Sequence, residues 1–177
     1  EVFAGNGGIN LNREEFLKKY GIDMEYFDFF SESVINEVIK KIENISQISF
    51  APAEKDIFKA LSTPLSEAKI VIIGQDPYFQ AGAATGLAFE VGNIISWSSP
   101  FKQRSLQNIV RNIYESYNGE RKNFSKIREE IEKEQFKIAE PPKLFKKWQK
   151  QGVMLLNSYF TVKIENDSNT GTSHKKE

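Results

Sequence analysis

The chain has 177 residues, of which 40% are hydrophobic and 27% charged, a composition typical of one globular domain and not of a disordered segment. It contains no cysteine, which excludes disulfides and cysteine-ligated metal sites. It also contains no apolar run long enough to span a membrane and no signal peptide, so a soluble intracellular protein is expected.

Charge is distributed unevenly along the chain although the net charge is zero. Residues 1–100 carry 8 basic and 14 acidic side chains, whereas residues 101–177 carry 16 basic and 10 acidic side chains. The positive second half fits either a surface that faces phosphates or ordinary solvated helices. The first residue is Glu1 and not Met, which indicates a processed or partial product.

The first seventy residues read as short helices joined by turns. Asn12 and Glu15 form a capping-box pattern, and Gly21 is expected to end that helix. Residues 33–44 are predicted to be a helix, and residues 56–61 a further short helix. The apolar face predicted for residues 33–44 comprises Val34, Ile35, Val38, Ile39 and Ile42.

The middle of the chain changes to β-rich runs followed by the clearest helix. Residues 69–73 are apolar and β-branched, which predicts a strand buried on both faces that ends at Gly74. Residues 87–91 form a second β-like run. Residues 106–117 are predicted to be a helix capped by Ser105 and stopped by Gly119. Its apolar face comprises Leu106, Ile109, Val110, Ile113, Tyr114 and Tyr117.

The last third of the chain predicts two more helices and a buried strand. A charged helix covers residues 125–135, and another begins at Pro142, turns Leu144, Phe145 and Trp148 inward, and ends at Gly152. Residues 153–156 are a second buried strand, which closes at Asn157. Strands separated by helices indicate an α/β fold with a parallel sheet.

Polar residues follow both predicted strands at the points where they end. Residues 75–78, Gln-Asp-Pro-Tyr, come after the first strand, and Asn157 ends the second. Because ligands of open α/β sheets bind beyond the carboxyl ends of the strands, an acid, an amide and aromatic rings are expected to meet there. Each residue also has a structural interpretation, since Asp-Pro is a common turn, Asn a common loop cap, and Phe89 a plausible core residue.

Motifs of several other chemistries are lacking. The sequence has neither GxxxxGK[ST] nor GxGxxG, so nucleotide binding has no support. His174 is the only histidine and lies in a polar tail, which disfavours both a Ser-His-Asp triad and a histidine metal site. No metal or organic cofactor is expected.

Four segments resemble the family 1 uracil-DNA glycosylases. GQDPY, continued as FQAGAATGLAFEV, closely resembles the family's water-activating loop, and SFAPAEKDIFKAL resembles the segment before it. RSLQNIVRNIY is similar to the serine-leucine loop and its helix. WQKQGVMLLNSYFTV, followed by SNTGTSH, resembles the second strand and its continuation. The similarity covers residues 50–174.

This resemblance implies a fold, an activity and roles for individual residues. The fold is α/β, with a parallel central sheet flanked by helices on both faces. The activity is hydrolysis of the N-glycosidic bond of uracil in DNA, by base flipping and carboxylate-assisted attack of water, as the first step of base excision repair. Asp76 is implied as the catalytic carboxylate, Gln75 as lining the pocket through its backbone, Tyr78 as the wall beside C5, Phe89 as the stacking platform, Asn157 as the reader of the base edge, and Ser105 as a phosphate contact.

The sequence departs from the family pattern in two places. Phe79 stands where the family usually has histidine directly after GQDPY. The family also continues past the position of Glu177 with further strands and a His-Pro-Ser-Pro-Leu-Ser loop, so we expect a single domain over residues 1–177 that is incomplete at its C-terminus. The expected partner is uracil-containing DNA, and the expected state is a monomer without membrane association. The expected location is the cytoplasm of a bacterium, or the nucleus or an organelle of a eukaryote.

Two alternatives to an active uracil-DNA glycosylase remain at this point. Phe79 and the missing loop favour a catalytically impaired relative that serves as a DNA- or protein-binding module. The other alternative is a glycosylase for a different damaged base, against which Tyr78 and Asn157 argue, because together they describe a uracil-shaped slot.

Overall fold

The computed structural model describes residues 11–164 in full and residues 171–173 as backbone. Within these residues five α-helices and five strands alternate with short 3₁₀ turns. The helices are α1 Arg13–Tyr20, α2 Glu32–Ile45, α3 Arg104–Asn118, α4 Phe124–Glu132 and α5 Pro141–Lys150, and the strands are β1 Phe50–Ala51, β2 Ile70–Gly74, β3 Val153–Asn157, β4 Val162–Ile164 and β5 Gly171–Ser173.

Helix termini follow the predicted capping chemistry at α1. The Asn12 side chain accepts from the N–H of Glu15, the Glu15 side chain accepts from the N–H of Asn12, and Gly21 ends the helix in the left-handed conformation. The helix predicted at residues 33–44 is α2, and it buries Ile35, Ile39, Ile42 and Ile45. Val34 is 38% exposed, so its place on the predicted apolar face is wrong.

Two small sheets organise the strands. β2 and β3 pair in parallel from Ile70 opposite Val153 to Gly74 opposite Asn157. β4 lies between β1 and β5 and is antiparallel to both. The parallel pair confirms the predicted α/β class, and the antiparallel sheet follows directly from the continuation of β3 into β4.

β3 is the strand on which the two halves of the core meet. Met154 packs into one cluster with Phe16, Tyr20 and Ile35, which we name the α1–α2 core. Leu155 points to the other face and packs with Val110 and Phe145, among others, in what we name the α3–α5 core. Because neighbouring residues of a strand point to opposite faces, β3 is covered by helices on both sides, as the fold prediction requires.

β2 does not share this burial, and the prediction of a strand buried on both faces is wrong for it. Ile70, Val71, Ile72 and Ile73 are exposed to 56%, 51%, 36% and 62%. The reason is positional: the helices pack against the two faces of β3, and β2 pairs with β3 through only one edge. Within the described residues, nothing pairs with the other edge of β2.

The β-like run at residues 87–91 is a loop and not a strand. Gly86 and Phe89 have φ values of 88° and 66°, which interrupt an extended backbone. The run still buries Leu87, Ala88 and Val91, so its apolar character reflects core packing. The predicted short helix at residues 56–61 is two 3₁₀ turns, Glu54–Asp56 and Lys59–Ser62.

The remaining helices agree with prediction except at their ends. α3 begins one residue before Ser105, its N-cap position is Gln103, and no side chain caps it, so Ser105 is not the cap. Tyr117 is 82% exposed, because it lies beyond the part of α3 that the core covers. α4 and α5 correspond to the predicted helices, with Pro141 at the first position of α5, and Gly119 ends α3 as expected.

Candidate active site

The carboxyl ends of β2 and β3 lie side by side. The parallel register places Gly74 opposite Asn157. Two backbone hydrogen bonds extend this pairing past the strands, from the Ser158 N–H to the Gly74 carbonyl at 2.9 Å and from the Tyr159 N–H to the Gln75 carbonyl at 3.0 Å. The residues that follow β2 are therefore held against the end of β3, as the sequence predicted.

Gly74 allows an unusually close approach at this edge. A Cβ at this position would overlap the Asn157 Oδ1 atom and lie 3.0 Å from the Ala88 Cβ atom. Any larger residue would have to displace the Asn157 amide. Gly74 thus brings together three segments of the candidate site: the loop after β2, the 86–91 loop and the end of β3.

Asn157 is largely buried, and its amide forms no hydrogen bond with the described residues. The residue is 7% exposed, so part of it reaches the surface at the end of β3. Because most polar side-chain atoms in protein interiors have a hydrogen-bond partner, an amide without one at such a place is available to a ligand. An amide offers one acceptor oxygen and two donor hydrogens, which suits a heterocycle that presents both a carbonyl and an N–H.

Asp76 lies two residues beyond the end of β2 and is half-buried. Its carboxylate forms no ion pair or hydrogen bond within the described part of the chain. The following Pro77 is buried, which anchors the loop next to the acid. The carboxylate is therefore positioned by the backbone and free to act on a bound molecule.

Tyr78 places a hydroxyl in an apolar setting. Its Oη atom is buried without a hydrogen-bond partner in the described residues, and its ring packs against the α3–α5 core. Burial raises the pKa of Tyr78 to about 12, because the phenolate would lose its hydration. The phenol is accordingly neutral near pH 7.

Phe89 is held in a strained conformation beside the end of β3. Its φ of 66° is rare for a residue with a bulky side chain, and strain of this kind collects at functional sites. The preceding residue fixes the loop, since the Ala88 N–H donates to the Leu155 carbonyl at 3.0 Å. The Phe89 ring is half-buried and packs against the α3–α5 core, so one part of it remains available to a ligand.

The side chains of Gln75 and Ser105 are both exposed, the first in the loop after β2 and the second in the first turn of α3. The Gln75 side chain is exposed, and its backbone carbonyl is engaged by Tyr159, which agrees with a role through the backbone alone. Ser105 is exposed in the first turn of α3, where N–H groups lack intrahelical partners and favour an anion. The structure records no contact between Ser105 and the other candidate residues.

Two features of the site could not be predicted from the sequence. The steric role of Gly74 depends on the position of Asn157, eighty-three residues later, and a glycine after a strand gives no hint of it. Gln80 has a buried side-chain oxygen without a partner among the described residues, which a polar residue in a loop does not reveal. His174 lies outside the described residues.

Other kinds of site find no geometric support in residues 11–164 and 171–173. These residues contain no group of three or more His, Cys, Asp or Glu side chains that could hold a metal ion. None of the helices described has the length and apolar character that a membrane crossing requires.

Comparison with known proteins gives a consistent set of relatives. The uracil-DNA glycosylase of Buchnera aphidicola subsp. Cinara cedri is 34% identical over 145 residues, which are 78% of this chain and 54% of the relative. That of Azobacteroides pseudotrichonymphae is 30% identical over 172 residues, 95% of this chain and 63% of the relative. The chain thus spans roughly half to three fifths of these relatives. No protein-family model matches it.

Solved structures with the same fold carry the same description. The wild-type UNG of Nitratifractor salsuginis superimposes with a TM-score of 0.63 at 20% identity, covering 88% of this chain and 66% of that one. A mimivirus uracil-DNA glycosylase gives a TM-score of 0.58 at 20% identity, covering 92% and 52%. At such identities the structural likeness establishes the fold.

Proposed function

The chain belongs to the uracil-DNA glycosylase family, and on that premise we propose that it removes uracil from DNA by hydrolysing the N-glycosidic bond. The observation that carries the proposal is the position of Asn157, which is 7% exposed, has no side-chain partner among the described residues and lies beside the loop that bears Asp76. An acid and an available amide at one sheet edge are the groups that recognition and release of a pyrimidine base require.

The reaction needs the base to leave the DNA stack first, since its glycosidic bond is inaccessible inside a duplex. Bond cleavage then develops positive charge on the sugar and negative charge on the departing uracil. A fixed carboxylate stabilises the first charge and orients the attacking water. Asp76 fits this role because its carboxylate has no partner in the described residues and so remains available to the sugar and the water.

Asn157 accounts for recognition of uracil over cytosine. Its amide donates to the O4 atom of uracil and accepts from N3–H. Cytosine presents an N–H₂ donor and an N3 acceptor at these positions, so the buried amide is left wrongly paired, at a cost of about 1–3 kcal/mol. Gly74 supports the selection, because it leaves room for the amide orientation seen here.

Tyr78 and Phe89 account for the shape of the base slot. In the proposed complex the Tyr78 ring blocks the methyl group of thymine, and a rigid obstacle of this kind discriminates better than weaker binding of a methyl does. Packing of the Tyr78 ring against the α3–α5 core supplies that rigidity. The Phe89 ring stacks on the uracil face, and its fixed backbone keeps the ring in place before the base arrives.

DNA contacts and catalytic power complete the proposal. The first turn of α3, with Ser105, binds a backbone phosphate through its free N–H groups. Phe79 offers no hydrogen bond where the family has histidine. A missing preorganised donor lowers a rate by about 10²–10³, so Phe79 is expected to slow the reaction. On this proposal the chain acts as a monomer, in the cytoplasm if the source is bacterial and in the nucleus or an organelle if it is eukaryotic.

The test is excision from a single-stranded oligonucleotide that carries one uracil, scored as alkali-labile abasic sites. We expect the wild-type chain to cleave and Asp76→Asn to be inactive. Asp28→Asn, a change of the same kind at an exposed residue, is the matched control and is expected to retain activity. A folded sample that leaves the uracil in place, or an Asp76→Asn variant that cleaves normally, would refute the proposal for this chain.

A further inference from the structure

A surface groove lies away from the candidate active site. It is formed by the end of α3, the segment of residues 134–139 and the last turns of α5, and it has a volume of about 620 Å³. Apolar side chains form part of its wall, among them Ile113, Phe136 and Leu144. We name it the α3–α5 groove.

The groove lies at the edge of the sheet opposite to Asp76 and Asn157. Gln151 lines it and directly precedes the turn into β3, whereas Asn157 is the last residue of that strand. Five residues of extended strand span about 15 Å. A base bound at Asn157 therefore does not reach the groove.

Positive charge is concentrated on the chain segment that forms one side of the groove. Five lysines lie between residues 137 and 150, and none forms an ion pair with a described carboxylate. These lysines are Lys137, Lys143, Lys146, Lys147 and Lys150. The only acid in this stretch is Glu140, which accepts from the Trp97 N–H at 3.0 Å and faces the core side. Glu134 is the one acidic residue that lines the groove.

Lys143, Lys147 and Lys150 form a stripe along one side of α5. They are spaced at i, i+4 and i+7, so they lie above one another on the helix surface. All three are exposed, and Lys147 also lines the groove. A stripe of this kind matches the regular spacing of phosphates along a nucleic-acid strand.

Two aromatic side chains lie next to this stripe of lysines. Tyr117 is 82% exposed at the groove, and the half-buried Trp148 lines its wall. Exposed aromatic rings beside a basic track are the means by which proteins bind single-stranded DNA without reading its sequence, because every base has a face on which to stack. A duplex keeps its bases paired and stacked, so it does not present them to Tyr117.

We propose that the α3–α5 groove is a second DNA site, which binds a single strand with its phosphates on the α5 lysines and a base on Tyr117. The site holds a DNA strand on the face away from catalysis and so keeps the protein on its substrate between encounters. It is independent of uracil, so it stands or falls separately from the proposed excision.

The location of the site is tested by ultraviolet cross-linking of the chain to a uracil-free oligothymidylate of about ten nucleotides, followed by mass spectrometry of the digest. We expect adducts on the peptides that contain Tyr117 or Trp148. Adducts confined to the peptides of Tyr78 and Phe89 would mean that only the catalytic edge binds DNA, and would overturn the proposal.

The chemistry of the site is tested by fluorescence anisotropy with the same oligonucleotide. Reversal of Lys143, Lys147 and Lys150 to Glu is expected to weaken binding at least tenfold and to reduce the salt slope of log K by about 2, at about 0.7 per phosphate. Reversal of Lys18, Lys40 and Lys55, which are also exposed and lack ion pairs among the described residues, should change neither quantity. Equal losses in both variants would contradict a built site.

Substitution of Tyr117 separates a DNA strand from an acidic protein segment. Because the side chain is largely exposed, Tyr117→Ala should fold normally, and it is expected to weaken binding about tenfold, whereas Tyr117→Phe should retain it. If polyglutamate competes as well as the oligonucleotide and Tyr117→Ala binds normally, the groove serves an acidic partner and the DNA assignment is wrong. Normal cross-linking without any uracil release would retain the groove and refute the excision proposal instead.

Discussion

Gly74 is the residue on which the geometry of the candidate site depends most. Because glycine has no Cβ atom, the Asn157 side-chain oxygen can lie directly against the end of β2. A side chain here would displace the Asn157 amide and press on Ala88. On the proposed function, recognition of uracil therefore depends on both Gly74 and Asn157, of which only Asn157 contacts the base.

Substitution of Gly74 by Ala is therefore expected to lower uracil excision by about 10²-fold, since small misplacements of a positioning group have effects of this size. Gly82→Ala is the matched control, because a Cβ there meets no atom within 4 Å. Its positive φ of 71° should cost about 1 kcal/mol of stability with little effect on the rate. Single-turnover excision and urea unfolding on both variants measure the two quantities. Equal rates in the two variants would contradict the positioning role.

Tyr78 gives a prediction about alkaline pH. Its folded pKa of about 12 lies above the ordinary value of 10, so folding favours the protonated phenol. The stabilisation is complete below pH 10 and is lost as the pH rises through about 12. Tyr78→Phe should flatten this loss, and at neutral pH it should be stabilising by about 1 kcal/mol, because it removes a buried hydroxyl without a partner among the described residues. Urea unfolding as a function of pH checks both effects, and a destabilised variant at neutral pH would contradict them.

At the scale of elements, β2 and β3 have similar sequences but different environments. Both are apolar runs of five residues that end in a small or polar residue. β3 lies between the α1–α2 core and the α3–α5 core, whereas the side chains of β2 are largely exposed. Burial is thus set by the partners that surround a strand and not by its own composition.

Truncation of one residue on each strand measures this difference. We expect Leu155→Ala to lower the free energy of unfolding by about 2–5 kcal/mol, because it leaves a cavity in the α3–α5 core. Val71→Ala on the exposed strand should cost less than about 1 kcal/mol. Urea denaturation of the two variants decides the matter, and a large loss from Val71→Ala would show that β2 is covered in solution.

Sequence reasoning succeeded where the signal is local and failed where it depends on distant partners. The capping box at Asn12, the helix stop at Gly119 and the parallel strands could be predicted from neighbouring residues. The exposure of Ile73 could not, because it depends on which elements lie against the sheet. The loop at residues 87–91 was also missed, since an apolar run looks alike whether it packs as a strand or as a buried loop.

In the candidate site, too, the features with a local sequence signal were predicted and those that depend on distant partners were not. Residue types and the parallel register were enough to predict that Asp76 and Asn157 meet at one edge, and the structure places the two segments there. The roles assigned to all six residues stay predictions until variants are measured: Gln75, Asp76, Tyr78, Phe89, Ser105 and Asn157. The strain at Phe89 had no sequence signal, because a positive φ at phenylalanine arises from the surrounding loop.

At the scale of the whole molecule, β3 joins the two cores through adjacent residues. Met154 belongs to the α1–α2 core and Leu155 to the α3–α5 core, so neither core can lose its packing without disturbing the strand they share. We propose on this basis that the chain unfolds as a single domain. On the two proposals made above, base excision takes place at one edge of the sheet and a DNA strand is held at the other.

Cooperative unfolding is the testable consequence of this shared strand. Both tryptophans, Trp97 and Trp148, pack in or against the α3–α5 core, so their fluorescence reports that core alone. Far-ultraviolet circular dichroism reports the helices of both cores. We expect the two signals to follow one urea transition with the same midpoint. Separate midpoints would mean that the α1–α2 core unfolds independently.

The most direct test of the central claim is selective release of one base by the wild-type chain. Single-stranded oligonucleotides that carry uracil, cytosine or thymine at one position are incubated with the protein, and the freed base is identified by mass spectrometry. The roles proposed for Asn157 and Tyr78 predict release of uracil alone, with Asn157→Ala losing most of this activity. Release of all three bases, or of none by a sample whose circular dichroism shows it to be folded, would contradict the account.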